Sequence, residues 1–409
     1  MTKERGIATG HASQETTRRR FVQSAGAFGT ASALFPASFA LGQTAAPVRI
    51  GVLAPLSGVF SSLGTHKVDG IKLFFSQQQM KVADRPVELL IEDDEAKPQE
   101  GLRKARKLVE SDKVDLLLGV LSSAVGYAIK DYVGRAKKVW VTTGAAADGI
   151  FKKKNKSPYA FRASLSVWQG NNPMGTWLAS QGVKRVLVTG PDYSMGHEAV
   201  EAFRGSFEVG GPKVEASIFP PLGTTDFGPY LADIKRREPE LVYASYAGSD
   251  AVRFVQQYAA FGLAAAIPLA GYGYLVEEDV IEAAGAAARG VRTGLNWAYG
   301  IDTPENRTFV EQYEKAYKTV PTVDAVAGYV GAQVVHAAIT SLGGDIKSQE
   351  MLGEAIAKVR INTPHGPISF DPETNNVIQT GFIREVGDIG GALHNRVVAS
   401  YPDIRDPGL

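Results

Sequence analysis

Small hydroxyl and phenol side chains recur directly after short apolar runs, and they are the groups in this chain best suited to chemistry. Leu121-Ser122-Ser123-Ala124 and Thr143-Gly144-Ala145-Ala146 each follow an apolar run and open a helix or a turn. Backbone N–H groups are free at such a point, and a hydroxyl beside them can help receive an anion. A serine there also serves as a plain helix cap, so both roles stand open. Further along, Asp192-Tyr193, Tyr246-Ala247 and Tyr272 end consecutive apolar runs. One tyrosine at a strand end is ordinary. Several in succession supply the aromatic wall with a few polar groups that a small-ligand site requires. The chemistry indicated is binding of a small anion beside an aromatic wall.

Covalent and metal chemistry find no support. No Gly-x-Ser-x-Gly elbow occurs, and no phosphate loop ends in Gly-Lys-Ser/Thr. Gly271-Tyr272-Gly273 lacks the third glycine of a dinucleotide fingerprint and reads as a strand-end turn. The histidines (11, 66, 197, 336, 365 and 394) lie far apart without metal-ligand spacing. Glu92-Asp93-Asp94-Glu95 lacks the alternation of a calcium loop and reads as a solvated turn. No catalytic residue, metal or cofactor is expected.

The elements that would position these groups alternate regularly. Val48 to Ala54, Val87 to Ile91, Asp115 to Val120 and Val139 to Thr143 read as strands. Helices from Thr65 to Met80, Glu100 to Ser111 and Ser122 or Ser123 to about Lys137 separate them. The pattern restarts after Phe161-Arg162-Ala163-Ser164. Strands are expected at Val186 to Thr189, Val214 to Phe219, Leu241 to Tyr246, Ile267 to Ala270 and Val291 to Leu295. Helices between them include Gly196 to Val209, Phe227 to Arg237 and Asp250 to Phe261. Two further helices, near Val323 to Leu342 and Gln349 to Val359, precede two closing strands, Ile368 to Phe370 and Val377 to Arg384. Apolar runs this short, spaced by helices, indicate parallel strands covered on both faces. The fold class is α/β, with two doubly wound, Rossmann-like lobes.

The first forty residues read as an export leader. Thr17-Arg18-Arg19-Arg20-Phe21-Val22 sets adjacent arginines before a mildly apolar, small-residue stretch, the twin-arginine pattern. Cleavage is expected after Ala40, with Gly42 as the alternative. The leader holds five basic and two acidic residues out of 44 and 43, leaving 39 against 41. A chain so nearly neutral argues against a nucleic-acid partner. There are no cysteines, so neither disulfides nor a lipid-modified cysteine enter. A periplasmic protein of two domains, monomeric, is expected.

The order and spacing of several fragments resemble the branched-chain amino-acid type of ABC-transporter substrate-binding protein, over Pro47 to Arg396. They are Ile50-Gly51-Val52-Leu53-Ala54-Pro55-Leu56-Ser57-Gly58 with Gly64, then Gly119 to Ser123 and Phe161-Arg162. Gly223-Thr224-Thr225-Asp226-Phe227 and Gly366-Pro367-Ile368-Ser369-Phe370-Asp371 complete the set. The resemblance implies the type I periplasmic binding protein fold, with three hinge crossings, here near Ser164, Asn296 and Phe370 to Val377. Lobe 1 would then take 47–163 and 297–370, and lobe 2 would take 164–296 and 371–409. It also implies an inner-membrane ABC permease as partner. Arg162, Asp226 and Asp371 would belong to the scaffold.

Departures from that family carry the specificity argument. Its amino-acid binders hold the ligand carboxylate with a Ser/Thr pair, and Ser123 matches the first position while Ala146 replaces the threonine. A backbone N–H at Ala145 or Ala146 remains available for the second contact. The family's acidic partner for the α-ammonium aligns with Tyr272. A buried ammonium lacking a carboxylate costs several kcal/mol, on the order of 3–5, so amino acids are disfavoured. Leu63 and Trp168 would complete a mostly apolar box, although Trp168 equally suits packing at the hinge. The sequence resembles most the branch associated with aromatic compounds, so a benzoate or phenylpropanoid acid is expected. A branched-chain amino acid, an amide or urea, and a sensing role for a membrane receptor are the alternatives.

Overall fold

The computed structural model describes residues 46–408; the leader and both candidate cleavage positions lie outside the described residues. Among these residues no helix is long and apolar enough to cross a membrane.

The first lobe is built from β1 (Val48–Ala54), α1 (Ser61–Gln77), β2 (Lys81–Val82), β3 (Arg85–Asp93) and α2 (Pro98–Arg106). It continues with β4 (Leu116–Gly119), α3 (Ser123–Arg135), β5 (Trp140–Thr142) and β6 (Ala160–Arg162). Its sheet runs β2-β3-β1-β4-β5-β6, parallel except for the β2–β3 pair. Strand order reverses at β1, so a crevice opens beyond the carboxyl ends of β1 and β4.

The second lobe repeats the plan with α4 (Val167–Ser180), β7 (Arg185–Thr189), α5 (Ser194–Phe207), β8 (Lys213–Ile218) and α6 (Gly228–Arg237). Then come β9 (Leu241–Ala244), α7 (Gly248–Ala260), β10 (Leu269–Tyr272), α8 (Glu278–Ala284) and β11 (Arg292–Leu295). Here the order β11-β10-β9-β7-β8 reverses at β7, which puts the crevice beyond β7 and β9. The chain returns to the first lobe as α9 (Pro304–Tyr317), α10 (Val323–Ser341) and α11 (Gln349–Ala357). It ends in β12 (Arg360–Thr363), β13 (Gly366–Phe370), β14 (Val377–Ile389) and β15 (Ala392–Ile404), with β14 antiparallel to β11. The two sheets follow one another in sequence between β6 and β7, and β12 and β13 extend the second sheet beside β14.

The short strands have the expected burial: every residue of β4, β5 and β9 is buried. Four differences from the expected elements have physical causes. Helix α4 escapes the apolar periodicity because it carries Asn, Gly and an internal proline, Pro173; a capping box between Ser166 and Gln169 starts it. Helix α9 is mostly polar, and Thr303 caps it, accepting from the Asn306 N–H. The closing strand does not stop at Arg384: β14 turns through Gly390-Gly391 into β15, an edge strand with most residues partly or fully exposed. The run Glu92 to Glu95 is not a solvated turn. Asp94 is fully buried, and Glu92 is held by Lys104 and Lys107.

Candidate ligand-binding site

Both crevices open onto one small shared cavity. The first lobe contributes Phe60 and Leu63 after β1, Leu121, Ser122 and Ser123 after β4, and Gly144 and Ala146 after β5. From the second lobe, Tyr193 and Met195 follow β7, Ala247 follows β9, Tyr272 ends β10, and Tyr274 lies in the turn after it. Among the described residues no charged side chain lines the wall.

The backbone adds to the polarity that the serine and tyrosine hydroxyls bring to the site. Ser122, Tyr193 and Ala247 are the N-cap residues of α3, α5 and α7, and Tyr272 precedes the 3-10 turn Gly273–Val276 in the same way. None of the four makes a side-chain capping bond. In α3 the first helical bond is Gly126 N–H to the Ser122 carbonyl at 2.9 Å. The N–H groups before it lack an intrahelical acceptor. Helix starts from both lobes thus turn their positive ends towards the cavity, an arrangement that favours a negative charge.

Local backbone geometry delivers the serines to that place. Gly119 has φ +106°, and a Cβ there would stand 2.3 Å from the Leu53 carbonyl oxygen. Val120 comes next at φ 73°, a rare state for a β-branched residue that costs about 1–3 kcal/mol. The two turn the chain off β4 so that Ser122 and Ser123 face the cavity. The Ser123 hydroxyl oxygen accepts the Ala147 N–H at 3.0 Å, which leaves its proton free to donate.

The tyrosines are neutral donors. Burial, then the Asp324 and Asp148 carboxylates, hold the Tyr272 phenol above its ordinary range. Burial, then Asp250, does the same for Tyr193. The Tyr272 hydroxyl is buried without a hydrogen-bond partner among the described residues.

Six of the residues expected from sequence meet at the cavity: Leu63, Ser122, Ser123, Ala146, Tyr193 and Tyr272. Three do not line it. Ala145 is buried against α3, where its Cβ would lie 2.7 Å from one placed on Gly126, and its N–H donates to Thr142 Oγ1 at 3.1 Å. Tyr246 lies inside the second lobe, packed on Phe227 and Phe254, with its hydroxyl 2.5 Å from Thr189 Oγ1. Trp168 is half-buried in the first turn of α4, where its N–H donates to Asp148 Oδ1 at 3.0 Å. Leu121, Gly144 and Ala247 also line the cavity, inside segments singled out from the sequence though not chosen as contacts, and Phe60, Met195 and Tyr274 were missed. Each stands within three residues of an expected one, so the signal was the segment and not the residue.

Comparison with known proteins agrees with this architecture. The family model described as periplasmic binding protein matches residues 47–391. Leu/Ile/Val-binding protein homolog 6 of Brucella melitensis is 32% identical over 368 residues, covering 88% of this chain and 93% of that protein. A solute-binding protein of an ABC transporter from Rhodopseudomonas palustris, solved with benzoate, superposes with TM-score 0.83 at 30% identity, over 89% of this chain and 99% of its own. Another, from R. palustris BisB5 with 3,4-dihydroxybenzoic acid, gives TM-score 0.85 at 30% identity, over 88% and 99%. Two lobes, a shared cavity at both strand switch points and a match along nearly the whole described chain lead to one assignment: this chain belongs to the periplasmic binding protein family.

Proposed function

We propose that this protein is the solute-binding component of an ABC importer and that its ligand is a small aromatic carboxylate of the benzoate or phenylpropanoid type. The observation that carries the reading is the wall itself. It combines three tyrosines, a phenylalanine and two serines with helix starts and no charged side chain. The ligand carboxylate meets the Ser122 and Ser123 hydroxyls and the α3 start, while its ring lies among Phe60, Tyr193, Tyr272 and Tyr274. An α-ammonium would meet no carboxylate on this wall. The benzoate and dihydroxybenzoate complexes of the two R. palustris proteins support the same class. Closure of the second lobe over the first then presents the loaded protein to an inner-membrane permease. The basic twin-arginine leader fits export to the periplasm, with cleavage after Ala40 or Gly42. The action is binding without covalent chemistry, and the protein acts as a monomer.

A branched-chain amino acid is the second reading, favoured by the name of the B. melitensis relative. Thermal unfolding of refolded, ligand-stripped protein with benzoates, cinnamates, leucine, valine, amides and urea separates the two. A ligand at a hundred times its Kd adds about 2.7 kcal/mol. A shift with aromatic acids alone supports the proposal, and a shift with leucine or valine alone replaces it with the second reading.

A further inference from the structure

We propose that Glu198 is a latch that holds the second lobe closed over the site, as a positioning residue that itself touches no ligand. Its carboxylate crosses from α5 to the first lobe, accepting the Asp148 N–H at 2.6 Å and the Tyr127 hydroxyl at 3.2 Å. All three residues stand just outside the cavity wall on segments that form it. Glu198 is three residues beyond Met195, Tyr127 is four beyond Ser123 on α3, and Asp148 is two beyond Ala146. Approach this close needs a glycine next to Asp148: a Cβ on Gly149 would stand 2.2 Å from the Tyr127 hydroxyl oxygen.

Glu198 has no ion-pair partner among the described residues, so its hydrogen bonds across the cleft are its main attachment. The Asp148 carboxylate accepts the Trp168 N–H instead. A second bridge, Ser62 Oγ to Asp279 Oδ2 at 2.9 Å, joins the lobes elsewhere and is solvent-exposed. A charged acceptor holding two donors is the stronger of the two contacts. The latch acts whether or not a ligand is present, so the unliganded protein spends part of its time closed.

Because the chain has no cysteine, spin labels at Asp131→Cys and Glu201→Cys, both exposed, report the distance between α3 and α5. The ligand-free parent shows a closed population, and Glu198→Ala lowers the closed-to-open ratio about tenfold. Glu198→Gln, which keeps an acceptor oxygen, restores part of it, and Asp279→Ala has a smaller effect. For any acid of the panel that binds, Glu198→Ala speeds dissociation about tenfold and leaves association unchanged. Unchanged label distances in Glu198→Ala, or a parent with no closed population, overturn the latch. A wrong aromatic-acid reading registers separately, as a parent that no aromatic acid stabilises, and leaves the ligand-free distances readable.

Discussion

The Lys67 ammonium stands 2.8 Å from the Asp324 carboxylate, and neither side chain reaches solvent. Lys67 lies on α1, one turn beyond the cavity residue Leu63, and also donates to the Thr143 carbonyl at 2.6 Å. The pair therefore ties α1 and α10 to the loop that carries Gly144 and Ala146. Burial raises the Asp324 carboxyl, and Lys67 opposes that shift. Removing one partner leaves the other charge buried and unpaired, which costs about 3–5 kcal/mol. Asp324→Asn and Lys67→Met should each lose stability on that scale in urea unfolding, and the apolar double replacement Lys67→Met with Asp324→Leu should recover most of it. A double variant no better than either single one would refute the charge-pair account.

Ser123 is the serine whose role is most constrained. Its oxygen is already engaged by the Ala147 N–H, so its proton is the available group. Ser123→Ala should weaken binding of an aromatic carboxylate by about 1–3 kcal/mol, read by calorimetry. Ser122 makes no side-chain capping bond, so Ser122→Ala should leave unfolding unchanged. Full affinity in Ser123→Ala would remove that hydroxyl from the ligand shell.

Tyr272 separates stability from binding. Its hydroxyl is buried without a partner, a state that costs about 1–3 kcal/mol until something accepts or donates there. Tyr272→Phe should leave the ligand-free protein as stable as the parent, or more so, yet weaken the ligand that contacts the hydroxyl. Comparing benzoate with its ring-hydroxylated forms tells whether the carboxylate or a ring substituent makes that contact. Loss of ligand-free stability in Tyr272→Phe would show that the hydroxyl has a partner inside the protein.

Strand ends were legible in the sequence because fully buried strands must be short apolar runs, and the chain must turn after each of them. That logic located Ser122, Ser123, Tyr193 and Tyr272. It failed by one residue at Tyr246. Side chains in extended chain alternate between faces, so Tyr246 enters the lobe core while Ala247 faces the cavity. Trp168 and Ala145 failed for a related reason: proximity in sequence does not set the direction of a side chain. Helix α9 and strand β15 were illegible because partly exposed elements carry little apolar periodicity, although Gly390-Gly391 marked the turn between β14 and β15.

Asp148 gives the protein a pH-dependent stability of definite sign. Burial, with the nearby Asp406 carboxylate as the second cause, pushes its carboxyl up to about 7 from an ordinary 3.8. The folded protein therefore binds more protons than the unfolded chain between about pH 4 and 7. The contribution of Asp148 is most favourable below about pH 4 and is lost as the pH rises through about 7. Asp94, pushed up to about 6 chiefly by burial, acts in the same direction. Asp148→Asn retains an acceptor for the Trp168 N–H but cannot titrate. Urea unfolding at about pH 5 and about pH 8 should show the parent losing stability relative to Asp148→Asn at the higher pH. A stability difference between the two proteins that is identical at both values would mean that the Asp148 carboxyl ionises as an ordinary surface aspartate.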